Sequence, residues 1–469
     1  MDTKSRVLVA TVGAWSSRIG SDSMSSLMKD YGPDRVAALY IRADKSDSTS
    51  ASRYFHIFEG RVMMSIFRGN IQTGEEFKPQ DVVITESSDE QAIEKARYNF
   101  FSKHRWGIFL FARELIWKLG KWKSPELDAF LDDFRPEVLI CPIESYIHFN
   151  KLNEYIIRRC KPKVIGLLWD DNFTYKQEPY NLWHQVHRIW LRRSVRNMVK
   201  KCHTVFCLSP KMKEECDKEF CIESQLLTKP VVIRKDFQPY KIGKPIKILY
   251  TGKLIIGRDR TIAKVVEAIQ ELNKYGQRVV LEIYTQTNLS SKIYQKINVP
   301  GCCSIFDPIP QNEVLVKQSE ADILLFVESL SGKCKTARLS FSTKLTDYFS
   351  AGKCIWAIGH EDLGPIDYLQ REDAGLVSTD KKSIRETLNQ IINHKELITE
   401  YAEKAYRCGS TKHNKDMILN RLYSAIVSDG ALEKNIQGGV NHCKSAICLC
   451  NAEGYFIQWP LDNCYQCVA

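Results

Sequence analysis

Two short segments of this chain carry cations, hydroxyls and a carboxylate at spacings that suit a diphosphate. The first is Ser342-Thr343-Lys344-Leu345-Thr346-Asp347-Tyr348-Phe349-Ser350-Ala351-Gly352-Lys353, followed at once by the apolar run Cys354-Ile355-Trp356-Ala357. Ser342 reads as a helix cap and Gly352 as its stop. Lys344 and Asp347 then fall in the first two turns, three residues apart and on one face. A helix start offers unpaired N–H groups and a positive dipole end, which suits a pyrophosphate. Lys344 adds a cation there, Asp347 can accept from the two hydroxyls of a ribose, and Ser340, Ser342 and Thr343 can donate to phosphate oxygens. The same spacing also fits a plain amphipathic helix with a solvated ion pair. The second segment is Ile248-Leu249-Tyr250-Thr251-Gly252-Lys253-Leu254-Ile255-Ile256-Gly257-Arg258-Asp259-Arg260. A strand-like run ends at Gly252, where the backbone can approach a ligand closely. Lys253, Arg258 and Arg260 follow before the next helix and could neutralise a departing diphosphate.

The first half of the chain offers carboxylates instead. Val164-Ile165-Gly166-Leu167-Leu168-Trp169 runs into Asp170-Asp171-Asn172. Carboxylates at a strand's carboxyl end can deprotonate or orient a hydroxyl, or they can simply cap a turn. Gly13 and Gly20 lie in the loop after the first strand, in a spacing that matches no strict nucleotide fingerprint. His148, His184 and His187 read as surface or packing histidines.

On the segment Lys344-Leu345-x-Asp347-Tyr348-Phe349-Ser350-Ala351-Gly352-Lys353, the chain resembles the nucleotide-sugar glycosyltransferases of GT-B architecture, group 1 or family 4-like, of the bacterial surface-polysaccharide type. Cys354 stands where that family usually has proline. The resemblance implies that Gly252 opens the donor domain, that two cations beyond it hold the diphosphate, and that Lys344 and Asp347 complete the donor site. Lys253 takes the first cation's place, and the second falls to Arg258 or Arg260. It also implies that the loop of Gly13 and Gly20 borders the acceptor. Retaining members of the family carry two acids eight residues apart, the second at the position of Asp347. Eight residues before Asp347 stands Leu339, so the first acid is missing; Glu328, after the run Leu324-Leu325-Phe326-Val327, is the candidate substitute. The stereochemical outcome stays open.

Positioning these groups requires a repeated strand–helix rhythm, and the chain has one. Strand candidates in the first half are Arg6–Val12, Val36–Ile41, Val82–Ile84, Val138–Cys141, Val164–Trp169 and Thr204–Leu208. Helices are expected over Asp22–Asp30, Ser88–Leu119, Ser124–Phe134, Leu152–Arg159, Asn181–Lys201 and Pro210–Phe220. Pro230, Pro239, Gly243 and Pro245 punctuate a linker over 228–245. A second series follows, with strands Ile246–Thr251, Arg278–Tyr284, Ile323–Val327, Cys354–Ile358 and Gly375–Val377. Its helices are Arg260–Tyr275, Ser291–Ile297, Asn312–Ser319, Ser342–Ala351, Lys382–Asn393 and one long helix Glu396–Val427 that is expected to return to the first domain. The expected fold is therefore α/β, with two Rossmann-like domains facing a central cleft: an acceptor domain over 1–227, a donor domain over 246–428 and a cysteine-rich tail over 429–469.

Composition fits that plan. The chain has 469 residues, 44% hydrophobic and 26% charged, with no collagen-like or low-complexity bias. Its net charge of +11, from 67 basic and 56 acidic residues, favours an anionic partner. Six cations (Arg188, Arg192, Arg193, Arg196, Lys200 and Lys201) lie between Leu182 and Lys201 without an acid among them. They interleave with Trp183, Val186, Ile189, Trp190 and Val195, as in a helix lying on anionic lipid. The stretch from Phe100 to Trp122 is also aromatic and basic. No nucleic-acid-binding motif accompanies the charge. The start carries no apolar leader and no run is long enough to span a bilayer, so a cytoplasmic place at the inner face of the plasma membrane is expected. The 16 cysteines then read as reduced thiols. In the tail, His442, Cys443, Cys448, Cys450, Cys464 and Cys467 form no paired metal-binding dyads, and poor order is expected there.

The function these readings imply is transfer of a sugar from a nucleotide-diphospho-sugar to a hydroxyl of a glycan acceptor, lipid-linked, in capsule or O-antigen synthesis. No metal or cofactor is required, since the cations do the electrostatic work. A nucleotide-sugar 2-epimerase of the same architecture and a non-catalytic membrane-associated partner subunit are the alternatives.

Overall fold

The computed structural model describes residues 5–15, 23–42, 46–81, 107–174, 176, 182–231, 233, 236–331, 338–428, 449–450 and 456–457. Two sheets organise them. The first contains β1 (Val7–Thr11), β2 (Val36–Tyr40), β3 (Arg53–Ile57), β4 (Gly74–Phe77), β5 (Val138–Pro142), β6 (Lys163–Leu168), β7 (Thr204–Cys207) and β8 (Gln225–Leu226), in the order β4-β3-β2-β1-β5-β6-β7-β8. Only the edge strand β4 runs antiparallel to its neighbour. Strands such as Val7-Leu8-Val9-Ala10-Thr11 are buried along their whole length, because helices cover both faces of the sheet. Side-chain alternation sorts them. Leu8 and Ala10 join Trp117, Leu127, Leu152 and Leu191 in one layer, while Val7 and Val9 join Met28, Ile418 and Leu422 in the other. The helices of the first layer are α3 (Gly107–Leu119), α4 (Pro125–Phe134), α5 (Ile147–Cys160), α6 (Leu182–Val199) and α7 (Pro210–Phe220); α1 (Ser23–Met28) and α2 (Glu59–Met64) precede them. Ser124 and Ser209 cap α4 and α7 ahead of a proline in the first turn.

The second sheet is wholly parallel: β9 (Ile246–Thr251), β10 (Val279–Tyr284), β11 (Cys303–Phe306), β12 (Ile323–Val327), β13 (Cys354–Ile358) and β14 (Leu376–Ser378), in the order β11-β10-β9-β12-β13-β14. Its helices are α8 (Arg258–Leu272), α9 (Ser291–Ile297), α10 (Gln311–Glu320), α11 (Thr343–Ala351), α12 (Gly364–Arg371), α13 (Lys381–Asn393) and α14 (Glu396–Lys412). The helix expected over Glu396–Val427 is two helices. Asn414 accepts from the Met417 N–H at 3.1 Å and starts α15 (Lys415–Val427). His413, at the break, is buried with its Nε2 2.8 Å from the Tyr368 hydroxyl. The break lets α14 pack on the second sheet, while α15 crosses to the first, where the Tyr423 hydroxyl donates to Leu27 O at 2.9 Å.

Several elements escape the sequence patterns. β3 begins with a charged residue, β4 is Gly-Glu-Glu-Phe on an edge, and α12 opens on Gly364-Pro365, which reads as a break although proline is at home in a first helical turn. The expected strand Val82–Ile84 and the front of the expected helix Ser88–Leu119 lie outside the described residues.

Residues Met1–Glu433 form one compact unit, so both sheets belong to one body. Lys434–Ala469 are a second unit, in which Leu449–Cys450 pair antiparallel with Phe456–Ile457; its other cysteines lie outside the described residues.

Candidate active site at the carboxyl edges of the two sheets

In an open parallel sheet, ligands bind beyond the carboxyl ends of the strands where the strand order reverses. Here those points are β1/β5 in the first sheet and β9/β12 in the second. Gly252 follows β9 and Glu328 follows β12, so two sequence candidates 76 positions apart meet at the second reversal.

Lys344 lies across Gly252. A Cβ on Gly252 would sit 2.1 Å from Lys344 Nζ, and its φ of 135° already favours glycine. Lys344 Nζ is 3.4 Å from the Tyr250 hydroxyl and 4.6 Å from the centre of its ring. Ser342 caps the helix, accepting from the Lys344 N–H at 3.4 Å, and Gly352 ends it in the left-handed region. Glu328 is buried and takes both bonds of the Arg258 guanidinium, at 2.7 and 3.1 Å. Burial, with the Arg258 charge adding, pulls the Lys344 ammonium down to about 8; the Glu328 charge opposes. Of the two candidates for the second cation, Arg258 therefore stands beside Lys344, whereas Arg260 is exposed on α8. Lys253 is exposed too, and its carbonyl accepts from the Tyr250 hydroxyl at 2.9 Å. Thr343 is exposed and Ser340 half-buried. Asp347 is half-buried, raised by burial, and its Oδ1 lies 3.4 Å from Lys229 Nζ of the linker.

The first reversal carries opposite chemistry. Thr11 is the last paired residue of β1, and Gly13 follows two positions on; among the described residues, a Cβ on Gly13 would meet nothing within 4 Å. Extending the registers Val7↔Val36 and Val7↔Val138 along the strands aligns Gly13 with Arg42 on one side and Glu144 on the other. Beyond the strands the Arg42 N–H still donates to Val12 O at 3.0 Å and the Ile143 N–H to Leu167 O of β6 at 2.8 Å, whereas the pairing of β1 with β5 ends at Val9↔Ile140. Asp170, two residues beyond β6, is exposed, and its charge acts on Glu144. Burial raises the Glu144 carboxyl to about 7, with the Asp170 charge adding and Arg42 opposing. Asp170 is itself raised by desolvation and by Asp171. Glu144 and Arg42 were missed in sequence because neither sits in a motif; the signal was their shared position just past adjoining strands. Gly20 lies outside the described residues.

Asp171, the sequence's equal alternative to Asp170, is committed elsewhere. Its buried carboxylate accepts from the Thr174 hydroxyl at 2.6 and 2.7 Å and from Arg338 Nη2 at 3.0 Å. Arg338 is 1% exposed, belongs to the second domain, and also grips Glu215 of α7. Leu339 beside it is buried in the first domain's core, and its carbonyl accepts from the Ser209 hydroxyl at 3.2 Å. Lys211–Asp362 and Arg371–Glu214 pairs extend this seam. The place of the missing acid is thus taken by an apolar plug between domains, where a carboxylate would be buried.

No family model matches the chain, and no curated protein matches it in sequence. Solved structures do match. Anabaena HepE in complex with UDP superposes with a TM-score of 0.57 at 8% identity, covering 90% of this chain and 99% of that one. Sucrose-phosphate synthase of Thermosynechococcus elongatus gives 0.55 at 12%, covering 89% and 96%; α,α-trehalose 6-phosphate synthase of Burkholderia multivorans gives 0.53 at 8%, covering 90% and 98%. The chain has the GT-B fold. In this GT-B chain the carboxyl edge of the second sheet carries Lys344 and Arg258, and that of the first carries Glu144 and Asp170.

The basic helix α6 is not a free cationic face. Arg192 and Arg196 bond Glu219, Lys201 bonds Glu154, and Arg188 donates to the carbonyls of Thr174 and Asp171. Arg193 and Lys200 are exposed. What α6 does present is apolar: Leu182, Trp183 and Trp190 are 71, 53 and 51% exposed, beside Leu115 and Leu119 of α3, with Phe111 between the helices. His148 is a packing residue, stacked on Trp117 and 2.9 Å from Glu114; His187 is buried against Phe111, and His184 is half-buried. Among the described residues no three His, Cys, Asp or Glu side chains gather as a metal site, and no helix is long and apolar enough to cross a membrane.

Proposed function

We propose that this GT-B chain is a glycosyltransferase that moves a sugar from a nucleotide-diphospho-sugar to a hydroxyl of a glycan acceptor. The observation that carries the reading is Lys344 laid over Gly252 at the start of α11, with Arg258 beside it at the strand reversal. An ammonium, a guanidinium and a helix N-terminus converging on one glycine are suited to the charge that develops as a nucleoside diphosphate departs. Asp347 would hold the ribose, sharing its carboxylate with Lys229. The cations carry this electrostatic work without a required metal. HepE, whose structure holds UDP, gives the precedent for a nucleotide in this fold. A thermal-shift panel of nucleoside diphosphates and their sugars tests it. A nucleotide that raises the melting temperature of the wild type but not of Lys344→Ala supports the site; an equal shift in both removes it.

The acceptor in this reading is lipid-linked, and the work is cell-surface polysaccharide synthesis, capsule or O-antigen, at the cytoplasmic face of a membrane. The exposed Leu182, Trp183, Trp190, Leu115 and Leu119 support it more than the cations, four of which (Arg188, Arg192, Arg196 and Lys201) are bonded within the chain. Co-sedimentation with anionic vesicles should fall for Trp183→Ala/Trp190→Ala and change less for Arg193→Ala/Lys200→Ala. Leu339 in the acid's place favours one second reading, a non-catalytic partner subunit. Nucleotide binding without transfer or hydrolysis would select it.

A further inference from the structure

We propose that Glu144 is the acceptor-side base, taking the proton of a sugar hydroxyl seated in the gap over Gly13 between Arg42 and Glu144. This rests on the glycosyltransferase reading and names the residue that serves its second substrate.

Arg42, Gly13 and Glu144 each stand two residues past the end of three adjoining parallel strands, β2, β1 and β5. Paired strands lie about 4.8 Å apart, and β1 and β5 are no longer paired beyond Val9↔Ile140, so Arg42 and Glu144 flank a notch at least about 10 Å across. The residue between them has no side chain, and among the described residues nothing lies within 4 Å of where its Cβ would be. The turn carrying Glu144 is held by its backbone: the Asn150 amide donates to the Glu144 carbonyl at 3.2 Å, and Ile143 O accepts from the Asn172 side chain. The half-buried carboxyl takes a backbone hydrogen bond from Ser145, with Asp170 from the next strand and Arg42 from the other side as its charged neighbours.

The edge faces the donor side. Arg338 binds Asp171, one residue from Asp170, and four residues after Arg338 the chain reaches Ser342, the cap of the helix bearing Lys344. The step balances. The acceptor O–H proton passes to a Glu144 carboxylate oxygen, and the freed oxygen bonds to the anomeric carbon. The bond from that carbon to the phosphate oxygen breaks, and its electron pair leaves with the diphosphate toward Lys344. A base near neutrality suits this transfer, and burial beside Asp170 holds Glu144 at about 7.

The test uses the full chain, a panel of uridine-, guanosine- and adenosine-diphosphate sugars, and octyl glucoside as acceptor. Glu144→Gln is expected to lower kcat about 100-fold or more while keeping the nucleotide-induced melting shift. It should also erase the rise of kcat/KM through pH 7. Asp170→Asn should move that rise to lower pH by removing a negative neighbour, which a merely structural role would not do. It is also the readout if Glu144→Gln does not fold. Gly13→Val should raise the acceptor KM with little change in kcat. An active wild type whose Glu144→Gln variant stays within threefold, or whose pH rise is unmoved by Asp170→Asn, overturns the assignment of Glu144 alone. A wild type that binds nucleotide and turns over none of the panel overturns the transferase reading beneath it.

Discussion

The two strand reversals are built alike and charged oppositely. Each places a glycine just past one strand and a glutamate just past its neighbour: Gly252 and Glu328 in the second sheet, Gly13 and Glu144 in the first. At Gly252 the space is filled by Lys344, and Glu328 is neutralised by Arg258. At Gly13 no described residue fills the space, and Glu144 stands beside a second acid. The same topology thus yields a cationic edge and an acidic one, and the neighbours decide which.

The largest effect expected from disturbing this pair lies between the two edges. Arg338→Ala takes from buried Asp171 its hydrogen-bonded guanidinium and leaves Arg188 at 3.7 Å; loss of one partner of a buried pair costs up to about 3–5 kcal/mol, read as a drop in melting temperature. Leu339→Glu, which restores an acid at the family's position, should destabilise comparably and gain no activity. An active, stable Leu339→Glu variant would break the claim that this segment is a plug. Next, Lys344→Ala should cost the nucleotide about 1.5–3 kcal/mol of affinity by titration calorimetry while the Glu144-dependent pH rise survives. Smaller again is the pH response of donor binding. Lys344 is cationic below about 8, so affinity should hold up to there and then fall by up to about tenfold per pH unit. Lys344→Arg should hold affinity to higher pH. The smallest effect separates the two glycines: Gly13→Ala should shift stability by less than about 0.5 kcal/mol, whereas Gly252→Ala should cost about 1–3 kcal/mol of backbone strain and dislodge Lys344. Equal outcomes for the two would dissolve the contrast.

Much of the donor side was legible in sequence because its signals are local. The Ser342 cap, the Gly352 stop and the Lys344–Asp347 spacing all act within a helical turn or two. The acidic edge was only half legible. Asp170 and Asp171 looked equivalent, and nothing in the chain near Asp171 announces Arg338, which is 167 positions away. The cationic run of α6 looked like a free surface; Glu219 and Glu154, remote in sequence, pair with Arg192, Arg196 and Lys201.

By itself, the sequence determined the strand–helix rhythm and the groups that begin α11, since periodicity, capping and glycine geometry are properties of neighbouring residues. Tertiary structure alone decided which carboxylate Arg338 ties down, which arginine joins Lys344, and that Leu339 is buried. Those outcomes depend on strand order and register, which bring together side chains that no local rule connects, and burial then sets the energy of each charge.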